Sequence, residues 1–517
     1  MNFGLRDHLA DLRRQGMLLD VEEAIDLRYA SALIARAGKA VCFLHPQGYE
    51  PQVLVGGLYS DRDRAAVAYG CPFEDAWKRA RKAEAEPVPP IIVDPPAWDV
   101  VAQGDAVDLT ELPIPVLATR DGAPYLSAAI TGVRDPAGGN NWGVYRYQLA
   151  DRRTLHIDLT SFNHLHMYLQ RAFDQGKTLG VTVCLGNHPA EFIAAAANLP
   201  PGVDEMGFAG ALRGEPVELV QGATVDALGI ANSEILLEGE FLPGGWAHDE
   251  GRFGEFHGLM GSMHKNPALR IHRVARRRDS HLYALQMAGE CHYLYIPLTE
   301  WAARKALQAA GIQVTAVNVT VGGGAAFHVI ASIKKYPGAG KHAILALMNV
   351  GIVKHVVVTD DDINVFDLQE VEWAIATRVQ ADKDVVIIPG MGRAKPLDPV
   401  IPPGMDPMLI TRMGIDATIP EGIPRSRYDR IVYPHFADLR MDDLLGQFRS
   451  AYESPAPARD LDSVILEHLR ASGPLYYVQI LDHHAAHPHR ALVQALGRLW
   501  EEGRLERDGD GRYLAAN

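Results

Sequence analysis

Leu5, Leu9 and Leu12 fall at helical spacing and predict one face of an opening helix. Short apolar runs at 41–44 and 53–55 read as strands. A charged helix over 75–85 then leads into the proline-rich link Pro87-Val88-Pro89-Pro90. A second proline group, Leu112-Pro113-Ile114-Pro115, marks another boundary. From about 120 to 330 the pattern turns strand-rich, with candidates at 181–185, 235–237 and 314–321 separated by glycines. One helix interrupts, because Leu165, Tyr168, Leu169 and Ala172 share a face and Gly176 can end it. From about 330 to 450 the chain is α/β again. Val356-Val357-Val358 runs into Asp360-Asp361-Asp362, a helix carries Val371 and Trp373, and a proline-rich surface excursion spans 389–424. Residues 461–517 read as an appended module. Leu461, Ile465 and Leu469 mark one helix, Leu492, Leu496 and Leu499 another, and 506–511 a turn between strands, the order of a winged helix.

The length of 517 residues suggests two to four domains. With 47% hydrophobic and 22% charged residues the composition is that of a globular protein with a large core. A net charge of -14 argues against coating nucleic acid or an anionic membrane, but leaves room for a small anionic substrate at a locally basic site. Four cysteines, Cys42, Cys71, Cys184 and Cys291, are far apart and argue against a disulfide framework or a structural zinc site. The N-terminus lacks the apolar stretch of a signal peptide, and no run reaches the ~18 apolar residues of a membrane span. A cytoplasmic location is the expectation.

Four constellations could carry chemistry. In Asn141-Trp142-Gly143-Val144-Tyr145-Arg146 a neutral oxygen ligand and a fixed cation are separated by an odd spacing, so in a regular strand they point to opposite faces. Alone, the segment reads equally as a strand with a surface arginine. In Asn163-His164-Leu165-His166 at a helix start, only one histidine can join a given site, and surface or core positions compete with a ligand role. Glu205 follows a proline turn, where carboxylates are usually solvated. With Asn141 and His164 it would complete a mixed O/N set suited to manganese, magnesium or iron. Finally, Glu250-Gly251-Arg252-Phe253-Gly254-Glu255-Phe256-His257-Gly258 holds two carboxylates five apart among glycines and phenylalanines. Apolar neighbours can raise one carboxyl while an arginine such as Arg146 keeps the other ionised, an acid/base arrangement. A charged glycine loop is the plainer alternative. Gly322-Gly323-Gly324 lacks the residues of a phosphate loop and reads as a strand bend. Asp360-Asp361-Asp362 reads as a metal site, a helix cap or an oligomer contact.

Taken in order, these segments resemble the UbiD family of flavin-dependent decarboxylases over roughly residues 5 to 450. Val358-Thr-Asp-Asp-Asp-Ile-Asn364, Trp373-Ala-Ile-Ala-Thr-Arg378 and Met413-Gly-Ile-Asp-Ala-Thr418 add to the match. The resemblance implies an α/β (α+β) fold with four parts: an N-terminal α/β domain (1–115), a central FMN-binding split β-barrel (116–325), a C-terminal α/β oligomerisation domain (326–454) and, outside the resemblance, the winged-helix-like module (455–517). It implies prenylated FMN as cofactor, delivered by a separate flavin prenyltransferase, and a homodimer or homohexamer. Asn141, His164 and Glu205 match the ligands of a manganese-like ion (magnesium or iron being alternatives) that faces the cofactor phosphate. Trp142, Val144, Arg146, Asn163 and Phe256 match cofactor contacts. A potassium ion near Glu205 and Arg378 is expected, although the Ala194 to Pro200 segment replaces one that often carries serines. Arg146, Glu250 and Glu255 match a Glu-Arg-Glu network in which Glu255 protonates the substrate carbon, while Arg146 orients the carboxylate and Glu250 tunes the charge. By rough alignment Cys291, Tyr295, Ile388 and Gly390 line the substrate pocket. Gly390 leaves room for a fused ring, so an aromatic or heteroaromatic acid is expected over a small α,β-unsaturated one.

Three alternatives stand beside this reading. A metal-dependent hydrolase would use Asn141, His164 and Glu205 without flavin. A regulator would contact DNA through the C-terminal module, yet 461–517 carries six arginines and no lysine against eight carboxylates. A family member without activity has no reason to keep the complete Glu-Arg-Glu set. The five tail histidines, His468, His483, His484, His487 and His489, read as surface positions, with metal or pH sensing as the alternative.

Overall fold

The computed structural model describes residues 4–135, 139–199, 203–392, 398–402, 409–437 and 460–516. The turn residues 200–202, the proposed boundary at 454/455 and part of the 389–424 excursion lie outside these residues. The chain forms two compact units, Met1–Gly422 and Ile423–Asn517.

The opening helix Leu5–Arg14 buries Leu5, Leu9 and Leu12 as its spacing predicts. Beside it lies a four-stranded sheet of Leu18–Ile25, Ala40–Pro46, Val53–Gly56 and, from far along the chain, His281–Ala284. Ile91–Ile92 likewise pairs with the distant Glu218–Gln221. The N-terminal and central parts are therefore interleaved.

Six antiparallel strands close a barrel: β1 Tyr125–Arg134, β2 Asn140–Leu149, β3 Thr154–Ile157, β4 Leu179–Leu185, β5 Ile235–Phe241 and β6 Ala268–Arg276. Their order is β5-β4-β1-β2-β3-β6, and β6 pairs back onto β5. Alternation along each strand divides the side chains between two cores. Val181, Val183 and Leu185 pack with Tyr147, Leu155 and Leu237 in one. Cys184 packs with Ile130, Trp142 and Leu236 in the other. Closure needs a bulge, since the β5–β6 register shifts between Glu238 and Gly239. Only glycine fits there, because a Cβ on Gly239 would lie 2.3 Å from the Arg270 carbonyl oxygen.

Helix α1 (His164–Asp174) follows β3, and α2 (Glu205–Arg213) follows β4 after an intervening helix. Helix α3 (Glu290–Ala309) leads into a five-stranded sheet. Its order is Val314–Val319, His328–Ile333, His355–Asp360, Arg412–Ala417, Val385–Ile388, with the central pairs parallel. Val314–Val319 belongs to this sheet and not to the barrel, so the sheet runs across position 325/326. The 322–324 glycines turn the chain between its first two strands.

The second unit contains α4 (Leu461–Ser472), α5 (Tyr477–His483), α6 (His489–Glu501) and a hairpin of Leu505–Arg507 with Tyr513–Ala515. Leu475 bridges Tyr513, and Ile465, Leu469, Ile480, Leu492, Leu496 and Leu499 form its small core. This is winged-helix order.

Candidate active site

Arg146 sits near the end of β2, where the β1–β2 ladder shifts register. Its side chain is 6% exposed. The loop after the short strand His248–Glu250 brings two carboxylates to it. Glu250 accepts two hydrogen bonds from the guanidinium, Nε to Oε1 at 2.9 Å and Nη2 to Oε2 at 3.1 Å. Glu255 accepts from Nη1 at 2.5 Å. The Arg146 Cζ lies 4.9 Å from the centre of the Phe253 ring, so the loop covers the cation with an apolar face as well as pairing it.

Several residues of this cluster were not singled out in the sequence. Asp158 approaches Arg146 Nη2 at 3.3 Å. The Tyr125 hydroxyl lies 3.2 Å from Glu250 Oε1 and donates to it, and Asn266 Nδ2 donates to Oε2 at 3.5 Å. Gln148 accepts from the Gly251 amide at 3.0 Å. Gly122 holds the loop from behind, its amide donating to the Arg252 carbonyl. A Cβ on Gly122 would lie 2.1 Å from the Gly251 oxygen, so the two backbones touch directly. The one signal for Asp158 is the hairpin itself: Tyr147 pairs with Ile157, which sets 146 opposite 158.

Three carboxylates thus share one guanidinium in a buried space. Burial works against the Arg146 charge, but Asp158, Glu250 and Glu255 outweigh it and hold the group firmly protonated. Burial also pushes the carboxyls up, against the pull of Arg146. Glu250 is raised and Glu255 reaches about 7, with Asp158 and Glu250 adding to the shift. One group is therefore fixed as a cation and one acid is poised to hold or release a proton near neutrality.

A second set of polar residues gathers at the start of β2. Asn141 Oδ1 and His164 Nδ1 are 2.8 Å apart. Glu205, the first residue of α2, accepts from the Trp142 backbone amide; burial, with Asp204 adding, pushes it up to about 7. A half-buried carboxyl with no counter-charge among the described residues, held at the strand that also carries Asn141, fits together with that amide oxygen and the His164 imidazole a hard or borderline divalent ion. Asn163 caps α1, its Oδ1 accepting from the His166 amide.

Asn141 and Arg146, one from each set, lie on one strand, five residues apart. Trp142 and Val144 pack on one barrel core and Tyr145 on the other, so the odd spacing separates the polar residues as alternation requires.

Residues 92–290 match the 3-octaprenyl-4-hydroxybenzoate carboxy-lyase Rift-related domain, and residues 292–417 match the C-terminal domain of the same carboxy-lyase. The chain belongs to the UbiD family of carboxy-lyases. Among UbiD relatives, an anhydromevalonate phosphate decarboxylase from Methanosarcina mazei is 31% identical over 433 residues, covering 83% of this chain and 99% of that one. The UbiD-class enzyme HmfF from Pelotomaculum thermopropionicum, solved with FMN, is 34% identical with a TM-score of 0.78, covering 86% of this chain and all of that one. An evolved dimeric form of it was solved with prFMN, with the same identity and coverage and a TM-score of 0.75. Vanillic acid decarboxylase from Sedimentibacter hydroxybenzoicus is 28% identical with a TM-score of 0.74, covering 85% and 97%. The UbiD match ends at Ala417, so the second unit lies beyond it.

Other positions implied by the UbiD resemblance are scattered. Phe256 packs against Phe327 at 5.3 Å between ring centres, and its carbonyl accepts from His292 Nε2. Cys291 and Tyr295 share a face of α3 and one core cluster. The Cys291 thiol is pushed up to about 12 by burial, with Glu290 and Glu255 adding, so its sulfur lies within reach of the Glu255 charge. Ile388 packs with the C-terminal sheet's cluster and Gly390 is exposed. Among the described residues no single cluster gathers all four. Arg378 is buried and pairs with Asp362 at 2.6 Å and Asp360 at 3.5 Å, and so closes the end of a strand.

Proposed function

We propose that the protein catalyses reversible, non-oxidative decarboxylation of an aromatic, heteroaromatic or α,β-unsaturated carboxylic acid with prenylated FMN and a divalent metal. The observation that carries this reading is the buried Arg146 held by Glu250 and Glu255. Its support from relatives is the flavin bound by HmfF and the decarboxylase chemistry of the other two. When bound, prenylated FMN supplies the centre that joins the substrate and accepts electrons as carbon dioxide leaves.

The protein's own residues do the rest. Arg146 orients the substrate carboxylate while Glu250, bidentate on its other edge, keeps it in place. Glu255 donates a proton to the carbon that lost the carboxylate, and burial gives it a proton to donate near pH 7. Asn141, His164 and Glu205 would hold the metal, manganese being our first choice, which would neutralise charge on the cofactor phosphate. Potassium near Glu205 completes the assignment. Trp142, Val144, Asn163 and Phe256 would contact the flavin, and Cys291, Tyr295, Ile388 and Gly390 the substrate. The active protein is a homodimer or homohexamer in the cytoplasm, and no helix among its described residues is long and apolar enough to cross a membrane.

The test is co-expression with a flavin prenyltransferase, then mass analysis of the bound cofactor and carbon dioxide release from aromatic, heteroaromatic and enoic acids. About one prenylated flavin per chain with turnover of an acid is the expected result. Metal without flavin would overturn it in favour of a hydrolase, and preference for a small enoic acid would overturn the aromatic assignment.

A further inference from the structure

The second unit gathers three of the five tail histidines. His468 lies in the third turn of α4, His483 ends α5 and His484 follows it. The rings of His468 and His483 stack at 3.6 Å, and His484 stands edge-on to both, at 5.0 and 4.9 Å. One nitrogen from each comes within 4.8 Å of the others. His468 Nδ1 and His484 Nε2 are buried with no hydrogen-bond partner among the described residues, and His484 is 7% exposed. Buried ring nitrogens normally find a partner, so two orphans within one histidine cluster need an explanation.

We propose that His468, His483 and His484 form a binding site for a borderline transition-metal ion of the zinc class, separate from the Asn141, His164 and Glu205 set. Imidazole nitrogens are the preferred ligands of such ions. Zinc–nitrogen bonds of about 2.0–2.1 Å in tetrahedral geometry require ligand nitrogens roughly 3.3 Å apart. The observed limit of 4.8 Å closes to this by ring rotation, and the exposed His483 is free to make that turn. Water takes the fourth position. The ion ties α4 to the end of α5 in a unit whose core is small, which is where a metal staple adds most.

The test uses the full chain and zinc alone, in competition with a chromophoric chelator. Wild type is compared with His468→Asn, His483→Asn and His484→Asn. Any zinc at the barrel site is common to all four, so the difference reports the second unit. We expect one zinc per chain to be lost in the His468 and His484 variants and weakened at least tenfold in the His483 variant. Cobalt substitution should give visible bands of tetrahedral nitrogen coordination in wild type, absent from the His468 and His484 variants and reduced at equal cobalt in the His483 variant. Equal zinc uptake by wild type and His483→Asn, a variant at an exposed position that keeps its fold, overturns the proposal even if the two buried variants misfold. Failure of decarboxylation leaves it untouched.

Discussion

Asp158 faces Arg146 across the β2–β3 hairpin, its carboxylate 3.3 Å from the guanidinium and its backbone amide donating to the Arg146 carbonyl. It is the third carboxylate on one buried cation, and its charge makes Glu255 harder to ionise. Removing that charge in Asp158→Asn lowers the Glu255 pKa. The alkaline limb of kcat/KM should move to lower pH, by about one unit. A pH profile of carbon dioxide release reads this directly, and an unmoved limb would exclude Asp158 from the network.

On the proposed mechanism Glu255 sets the pH range of turnover. Its folded pKa of about 7 lies above the ordinary 4.5, so turnover that uses its proton falls as pH rises through about 7. Stability moves in the same direction. The native state binds the extra proton between 4.5 and 7, so the Glu255 contribution to stability is greatest below 4.5 and declines as pH rises through that window. The loss is on the order of 3 kcal/mol. Glu255→Gln should flatten this decline in melts at several pH values while reducing turnover by roughly 10²–10⁴.

Arg146→Gln strands Glu250 and Glu255 in a buried space. Breaking such a pair costs about 3–5 kcal/mol, and thermal melts should show it together with loss of turnover. Arg146→Lys keeps the charge but cannot make the bidentate contact to Glu250. It should recover stability more than activity; equal recovery of both would argue against an orienting role.

His164→Ala and Glu205→Gln each remove one donor of the proposed metal set. Manganese affinity, followed by metal content after dialysis, should fall by more than the roughly 10–100-fold seen for loss of an outer partner. The Arg146 cluster should be spared, so melting in metal-free buffer should change little. Full retention of manganese in both variants would place the ion elsewhere.

Gly122→Ala puts a methyl group 2.1 Å from the Gly251 oxygen, where neither backbone can yield cheaply. The loop carrying Glu250 and Glu255 must move. Turnover should fall by about 100-fold, as a displacement near 1 Å can cost, with manganese binding unchanged. Wild-type turnover in this variant would show that the loop tolerates the shift.

Much of the fold was legible because periodicity is local. The helical spacing of Leu5, Leu9 and Leu12, the strand at 181–185 and the helix–helix–helix–hairpin order of the tail follow from side chains within a few residues of each other. Arg146, Glu250 and Glu255 were legible as a motif. The barrel's closure through β5 and β6, and the return of His281–Ala284 to the N-terminal sheet, were not, since pairing partners distant in sequence leave no periodic trace.

By itself the sequence determined the order of elements and the family, and put Arg146, Glu250 and Glu255 forward as one cluster, because these depend on residue type and spacing. Tertiary structure alone decided the rest. It set Asp158 and Tyr125 beside the Glu-Arg-Glu cluster, brought Gly122 against Gly251, and drew together three tail histidines that sequence assigned to the surface. The physical reason is common to all four: a side chain's chemistry depends on burial and on neighbours that meet only when strands pair and helices pack.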